Sequence, residues 1–307
     1  MAPGAEFGAD PALAPLRQAG YAVALDTATG ESEPIPGMGR LNHENTIWLP
    51  GYSRLAGLTT DDGKVDPTDP FNGANDYLDI RPGDDFAGEF IRVPRKIARG
   101  ETGDAPQAAL EQWSNDDDNN VFQFIRLEDL GYDPDEPRVV YVADTGRSRV
   151  VPDPATGRMV RGPGGTVGQA DNEAIFKFVM DPHNPRKVDS FSMVAQGDDP
   201  ATDAYVPFVS PDNMGTSSTS LMVQEDTDNA RIWQHEFATG DWRVVGTVND
   251  PDGESSGIVD ASEWFGPGSW LLGVQAHGSN VREELDGDGV LRKLEDGQPM
   301  LMTLPGS

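Results

Sequence analysis

Short runs of apolar residues rich in Val, Ile, Phe and Met recur along the chain, and each stops at a polar or acidic residue. VVYVADTG closes at Asp144, SLMVQED at Glu225 and Asp226, SWLLGVQAHG at Gln275 and His277, and LAGLTTDDG at Asp61 and Asp62. Runs of this length, with β-branched and aromatic residues between turn signals, predict strands. Upstream of each lies a short polar segment: NHEN at Asn42 to Asn45, RLED at Arg126 to Asp129, SPDN at Ser210 to Asn213 and ESSG at Glu254 to Gly257. One unit is written four times.

After three of these runs comes a second pattern: AIFKFVMDP then SFSMVAQ, ARIWQHEFATGDWRVVGTV, and GVLRKLEDGQPMLMTL. Each predicts a β-hairpin, with ATGD and EDGQ as its compact polar turns. Inner strands followed by outer hairpins, repeated every few tens of residues, predict an all-β protein built as a β-propeller. GYAVALDTATGESEPI near the start reads as an outer hairpin with no inner strand before it. The expected chain therefore holds about four whole blades plus an outer half-blade, the low end of the roughly four to eight that close a propeller, with one blade cut. Residues 1–19 read as an N-terminal extension and 20–307 as the propeller domain. Residues 63–120, with a helical signal from Asp104 through Pro106 to Trp113, are expected as an insertion on a blade, and 147–170 as an exposed loop.

Composition narrows the function classes. The 307 residues carry 52 acidic against 23 basic side chains, a net charge of -29, which opposes binding to nucleic acid or to an anionic membrane surface. The acid excess suits a solubility surface, hard-cation sites, or both, since calcium takes carboxylate and carbonyl oxygens. There is no cysteine, so disulfides, zinc fingers and thiol chemistry are excluded within this chain. MAPGAEFGAD lacks the basic and apolar stretches of an export signal, and no window approaches the length of a membrane helix.

Taken in order, RLNHENTIWLPG, FQFIRLEDL, VVYVADTG, SPDN, LMVQED and ESSGIVDASEWFGPGSWLLGVQAH resemble the PhoX-type alkaline phosphatase family, especially its actinobacterial branch, over about residues 20–307. The resemblance implies a six-bladed propeller with calcium and iron in its central channel, hydrolysis of phosphate monoesters, and a secreted or periplasmic location. It carries the family's Arg-x-Glu motif onto Arg126 and Glu128, its His-Glu pair onto His43 and Glu44, its Asp-Asn pair onto Asp212 and Asn213, and its acidic strand end onto Glu225. The family's N-terminal part, with an export signal and a metal-proximal cysteine segment, has no counterpart here.

The chemistry fits those residue types. A phosphate monoester is anionic, so its catalyst must neutralise charge and align an oxygen nucleophile, which clustered hard cations do well. If inner strands ring one channel, their ends converge, and Glu44, Glu128, Asp144, Asp212, Glu225 and Glu254 become oxygen ligands; equally, acids at strand ends cap turns. Arg126 is the candidate phosphate clamp, guanidinium donors matching phosphate oxygens, or else a structural partner of Asp129 or Glu128. His43 and His277 are candidates to hold or orient ligands, while His183 and His235 are expected to face solvent. ELDGDGV, with Asp286 and Asp288, lacks the downstream glutamate of a calcium loop and reads as a hairpin turn. Trp233, Trp242, Trp264 and Trp270 are expected in the core. The competing function is a non-catalytic propeller that binds calcium or a partner through the same face, and weaker still is a lactonase or other esterase using one calcium.

Overall fold

Among the described residues two strands with an apolar middle are buried throughout: every residue of Val139–Asp144 and of Ser220–Glu225. Only a strand covered on both faces tolerates such a sequence, so these two fix where the sheets stack. The computed structural model describes residues 22–35, 56–60, 80–99, 101–102, 106–114, 119, 121–122, 124–146, 150–152, 159–161, 173–228, 230–249, 253–276, 282–285, 291–294 and 297–304. The protein is all-β, with antiparallel sheets and a few short helices. It divides into two compact units: Met1–Asp79 with Asp85–Gln123 and Met180–Ser190, and Ile80–Asp84 with Phe124–Val179 and Phe191–Ser307.

In the first unit, β1 (Val23–Leu25) and β2 (Ser32–Pro34) form the expected opening hairpin, exposed throughout. Its turn is fixed by Asp26, whose Oδ1 accepts the N–H groups of Ala28 and Thr29. The run LAGLTT supplies β3 (Ala56–Thr60), antiparallel to β4 (Phe86–Arg92). β4 lies inside the stretch read as an insertion, which therefore contributes a strand as well as α1 (Arg95–Ala98) and α2 (Pro106–Ser114). The expected helical signal is α2; its first residue is proline, whose fixed φ and missing donor suit the first turn. Asp181 Oδ1 accepts the N–H groups of His183 and Asn184 in the turn leading to β10 (Lys187–Gln196), and Phe90 N–H donates to Arg186 O at 2.6 Å.

The second unit holds three stacked sheets. In the first, β5 (Leu127–Tyr132), β6 (Val139–Asp144), β9 (Ala174–Met180) and the end of β10 lie in the order β5-β6-β9-β10. In the second, β11 (Pro211–Thr216), β12 (Ser220–Glu225), β13 (Arg231–Glu236) and β14 (Trp242–Thr247) follow one another. The third is β15 (Gly253–Asp260), β16 (Ser269–Ala276) and β19 (Gly297–Thr303), with α3 (Ser262–Phe265) between β15 and β16. β7 (Val150–Pro152) and β8 (Met159–Arg161) pair as a small ribbon within the stretch expected to be loop only.

One apolar layer joins the first two sheets through Val139, Tyr141, Ile175, Val206, Phe208, Leu221, Val223 and Trp233. Another joins the second and third through Met222, Ile232, Ile258, Trp270, Leu272 and Leu304. Alternate residues of β12 thus serve opposite layers, as strand periodicity requires. Trp233 and Trp270 are core, as expected, and Trp242 packs at the edge of the first layer; Trp264, expected inside, is 69% exposed on α3.

Two of the three hairpins are present, β9–β10 and β13–β14, and the third is not. LRKL is β18 (Leu291–Leu294), paired back with β17 (Arg282–Leu285), while PMLMT is β19 on the edge of β16. The register explains the choice. It sets residue 283 opposite 293 and 284 opposite 292, and it frees β19 to bring Met302 and then Leu304 onto the second apolar layer. The acidic segment holding Asp286 and Asp288 joins two paired strands, and those residues themselves lie outside the described set.

The first strands of the three sheets, β5, β11 and β15, are neighbours. A Cβ on Gly131 would lie 3.0 Å from the Thr216 methyl, whose hydroxyl donates to Tyr132 O at 2.6 Å, and one on Gly215 would meet Ile258 O at 2.5 Å. Only glycine allows that last approach of backbone to backbone. Gly215→Ala is therefore expected to lower the urea midpoint of unfolding by the equivalent of about 2 kcal/mol, as overpacking does, while Gly297→Ala, exposed and at an ordinary 3.4 Å from Val274 O, costs less; equal losses would show that β11 and β15 do not depend on the close contact.

Candidate functional site

The polar segments that precede the buried strands become bulges. In the first sheet Leu127 pairs with Asp144 and Leu130 with Val142, so Glu128 and Asp129 together oppose Ala143. In the second, Pro211 pairs with Glu225 and Met214 with Val223, leaving Asp212 and Asn213 opposite Gln224. In the third, Ser256 pairs with Gly273 and Val259 with Leu271, leaving Gly257 and Ile258 opposite Leu272. A bulge at the same place in successive sheets re-aims side chains at a strand end. It also corrects the alignment of the last repeat: Ser255, not Glu254, matches Arg126 and Ser210, and Gly273, not Gln275, matches Asp144 and Glu225.

The buried strand-end acids hold the bulges in place. Asp144 is fully buried; its Oδ2 accepts Ile125 N–H at 2.9 Å, and its Oδ1 accepts Arg126 N–H at 2.8 Å and Gly146 N–H at 3.1 Å. Burial pushes its carboxyl above the ordinary value, with the three N–H groups and the Arg126 charge acting against it. Glu225, 1% exposed, caps the second bulge with more donors. Its Oε1 takes Val209 N–H, Trp233 Nε1–H and Arg231 Nη2 at 2.9, 2.9 and 2.7 Å, and its Oε2 takes Arg231 N–H and Nε–H, each at 2.9 Å. The backbone repeats as well: Thr145 N–H donates to Arg126 O, and Asp226 N–H to Ser210 O. Ser210 has φ +46 before Pro211, a left-handed geometry held by its N–H to the buried Glu173 at 2.8 Å.

A second set of bonds links one bulge to the next. Asp129, buried, accepts Leu130 N–H and, across to β11, Met214 N–H, both at 2.6 Å. Asn213, in the equivalent place, accepts Ser256 Oγ–H and Gly257 N–H of β15 at 2.6 Å and donates to Asp212 Oδ1. The third repeat has Ile258 there, and the polar relay ends in the apolar layer. Asp129 carries this role although the sequence singled it out only as a partner for Arg126; its place two residues before a glycine, shared with Asn213 before Gly215, is the signal.

Arg126 stands at the rim. Its Nη2 lies 2.8 Å from Glu128 Oε1, with the arginine side chain 47% exposed and the glutamate 9%. Of the two ion-pair partners considered, Glu128 is the one found. Asp212 and Glu254 are half-buried, Glu254 opposite Gln275 on β15–β16. Bulge geometry thus brings together Arg126, Glu128, Asp129, Asp212 and Asn213 along neighbouring strands, while Asp144 and Glu225 turn inward as caps. His43, Glu44 and His277, with Asp61 and Asp62, lie outside the described residues. Among the described residues no group of three or more His, Asp or Glu is placed to hold a metal ion.

No protein-family model matches the chain, and no curated protein matches it in sequence. Among solved structures it is similar, at 14% identity, to a chain of a nidogen/laminin complex, over 55% of this chain and 48% of that one with a TM-score of 0.30. It is similar at 14% identity to TolB from Acinetobacter baumannii, over 70% and 56% with a TM-score of 0.23. The chain spans about half the length of these solved chains.

Two outcomes follow from the caps. Glu225→Gln is expected to cost about 3 kcal/mol in urea unfolding, because it leaves Arg231 beside a neutral amide with mismatched donors; a loss below about 1 kcal/mol would remove Glu225 as an anchor. Asp144 makes stability depend on pH. Its raised folded value means that the native state holds the proton more tightly than the unfolded one, so its contribution improves as pH falls towards 4 and worsens as pH rises. The stability of the native protein relative to Asp144→Asn is expected to increase between pH 8 and pH 4.5, and a difference that is flat or of opposite slope would show that the N–H donors outweigh burial.

Proposed function

We propose that the chain is a propeller-type phosphomonoesterase of the PhoX kind, with Arg126 as the cation that receives the phosphate group and Glu128 as the carboxylate that holds it in position. The observation that carries this reading is the rim pair: a half-exposed guanidinium fixed by a nearly buried carboxylate, beside bulges whose next members are Asp212 and Asn213. A guanidinium held by one edge keeps its remaining N–H donors for a second anion, and charge stabilisation of this kind is a large term in phosphoryl transfer. The ordered motifs over residues 20–307 support the family and the propeller by resemblance. A small phosphate ester is the proposed substrate, and export from the cytoplasm the proposed setting.

Calcium and iron belong to the same proposal on the resemblance alone. The described residues do not assemble a site for either: Asp144 and Glu225 are committed to N–H donors, and Asp129 bonds the backbone of two strands. No step is therefore routed through a metal. That commitment of acids to capping favours a second reading, a non-catalytic propeller binding calcium or a protein partner through the same rim.

The test is hydrolysis of p-nitrophenyl phosphate at alkaline pH with calcium and iron supplied, together with elemental analysis of protein purified without chelator. Turnover that falls on the order of 10²-fold in Arg126→Ala, by analogy with other electrostatic donors, and is partly retained in Arg126→Lys is the expected result. Metal-loaded protein without turnover would remove the phosphatase reading and leave the binding one; turnover unchanged in Arg126→Ala would remove Arg126 from the site.

A further inference from the structure

Away from the bulges, a cavity of about 390 Å³ opens in the second unit, walled by Tyr141 on β6, Lys177 on β9, residues of β10, and His235 and Phe237 at the end of β13, with Asp133 and Glu136 also in its lining. Its size is that of a small-ligand pocket. Tyr141 and Phe237 stack at 5.5 Å and 8°, making one flat aromatic wall. His235 stacks on Trp242 at 4.6 Å and 22° and meets Phe237 edge-on. The sequence placed His235 in solvent; it is half-buried, and burial holds its imidazole below the ordinary value, so at neutral pH the ring is an uncharged wall.

The polar groups are sorted by sign. Lys177 is directly opposite Tyr141 in the β6–β9 register, on the same face. In a chain with an acid excess of this size, Lys177 makes no hydrogen bond or ion pair among the described residues, and neither does the Tyr141 hydroxyl. Beside the Tyr141 hydroxyl the lining is acidic. Asp133 and Glu136 act, after burial, to push the Tyr141 hydroxyl up to about 12. Glu136 is engaged by Arg138 at 2.8 Å, and Asp133 uses Oδ1 for the N–H groups of Asp135 and Glu136, while its Oδ2 accepts no hydrogen bond among the described residues.

A simple anion would meet the carboxylates, and a simple cation would meet the ammonium. A molecule with both charges, spaced by an apolar or aromatic body, satisfies both ends and the wall between them. We propose that this cavity binds a small zwitterion, a free amino acid or dipeptide with an apolar side chain, its carboxylate on Lys177 and its ammonium on Asp133. The proposal is independent of the phosphatase reading, since none of these residues belongs to the bulged rim.

Isothermal titration calorimetry on the whole chain tests it with L-phenylalanine and L-leucyl-L-phenylalanine against N-acetyl-L-phenylalanine, which loses the ammonium, and L-phenylalanine amide, which loses the carboxylate. Saturable binding of at least one zwitterion, weakened about tenfold or more by either cap, is expected. Lys177→Met should abolish the preference for the free carboxylate and Asp133→Asn the preference for the free ammonium. No binding of either zwitterion, or equal binding of the capped compounds, overturns the proposal, and because capping is read on the native protein the result stands even if a variant fails to fold.

Discussion

The fold rests on a buried carboxylate that satisfies backbone N–H groups at the end of a covered strand. β6 and β12 are buried along their length and end on Asp144 and Glu225, which pair donors of the chain entering and leaving them. Asp144 gathers three such donors and Glu225 gathers backbone, indole and guanidinium donors together. Without these acids the approach to each bulge would carry buried N–H groups unpaired, a cost of about 1–3 kcal/mol apiece. Everything that follows in space, from the aim of Glu128 to the neighbourly packing of β5, β11 and β15, is set by that anchoring.

The repeat was legible because it closes on polar residues: β6, β9, β10, β12, β13, β14, β16 and the opening hairpin follow from runs and turn residues in the chain, whereas β5, β11 and β15 begin in polar segments that read as loops. What was not legible is register. The bulge inserts one residue, and ESSG and SPDN look alike until Ser256 is found opposite Gly273. Nor does local pattern say that Asp144 and Glu225 point at backbone while Arg126 and Glu128 stay at the rim, because both sets are acids and bases at strand ends. The pairing of LRKL with REEL across an acidic loop, in preference to the adjacent MLMT, was likewise decided by partners beyond the window in which alternation is read. Trp264 shows the reverse error: its bulk suggested core, and its place on a four-residue helix after β15 leaves it outside.

The rim and the inter-sheet relay divide labour between equivalent positions. Asp129 and Asn213 occupy one place in two repeats and do the same mechanical work with different charge, bridging to the next strand. Arg126, Ser210 and Ser255 occupy another, where one repeat carries a guanidinium and the other two a hydroxyl. Positions that join sheets keep a hydrogen-bond acceptor until the relay ends at Ile258, while the rim position carries a cation in one repeat alone. That asymmetry is what a repeated scaffold needs if one edge is to recognise a single, unsymmetrical ligand.

The β17–β18 hairpin, lying between Ala276 and Gly297, separates two strands that pair along their whole length. Because loop-closure entropy grows only with the logarithm of loop length, each doubling of that excursion costs about 0.6 kcal/mol, against an apolar layer that gains Met302 and Leu304 when β19 docks. The third sheet can therefore accept sequence at this connection almost independently of its own stability. The excursion between β16 and β19 is the place where the chain could lengthen, shorten or acquire a new recognition element without renegotiating the fold beneath it.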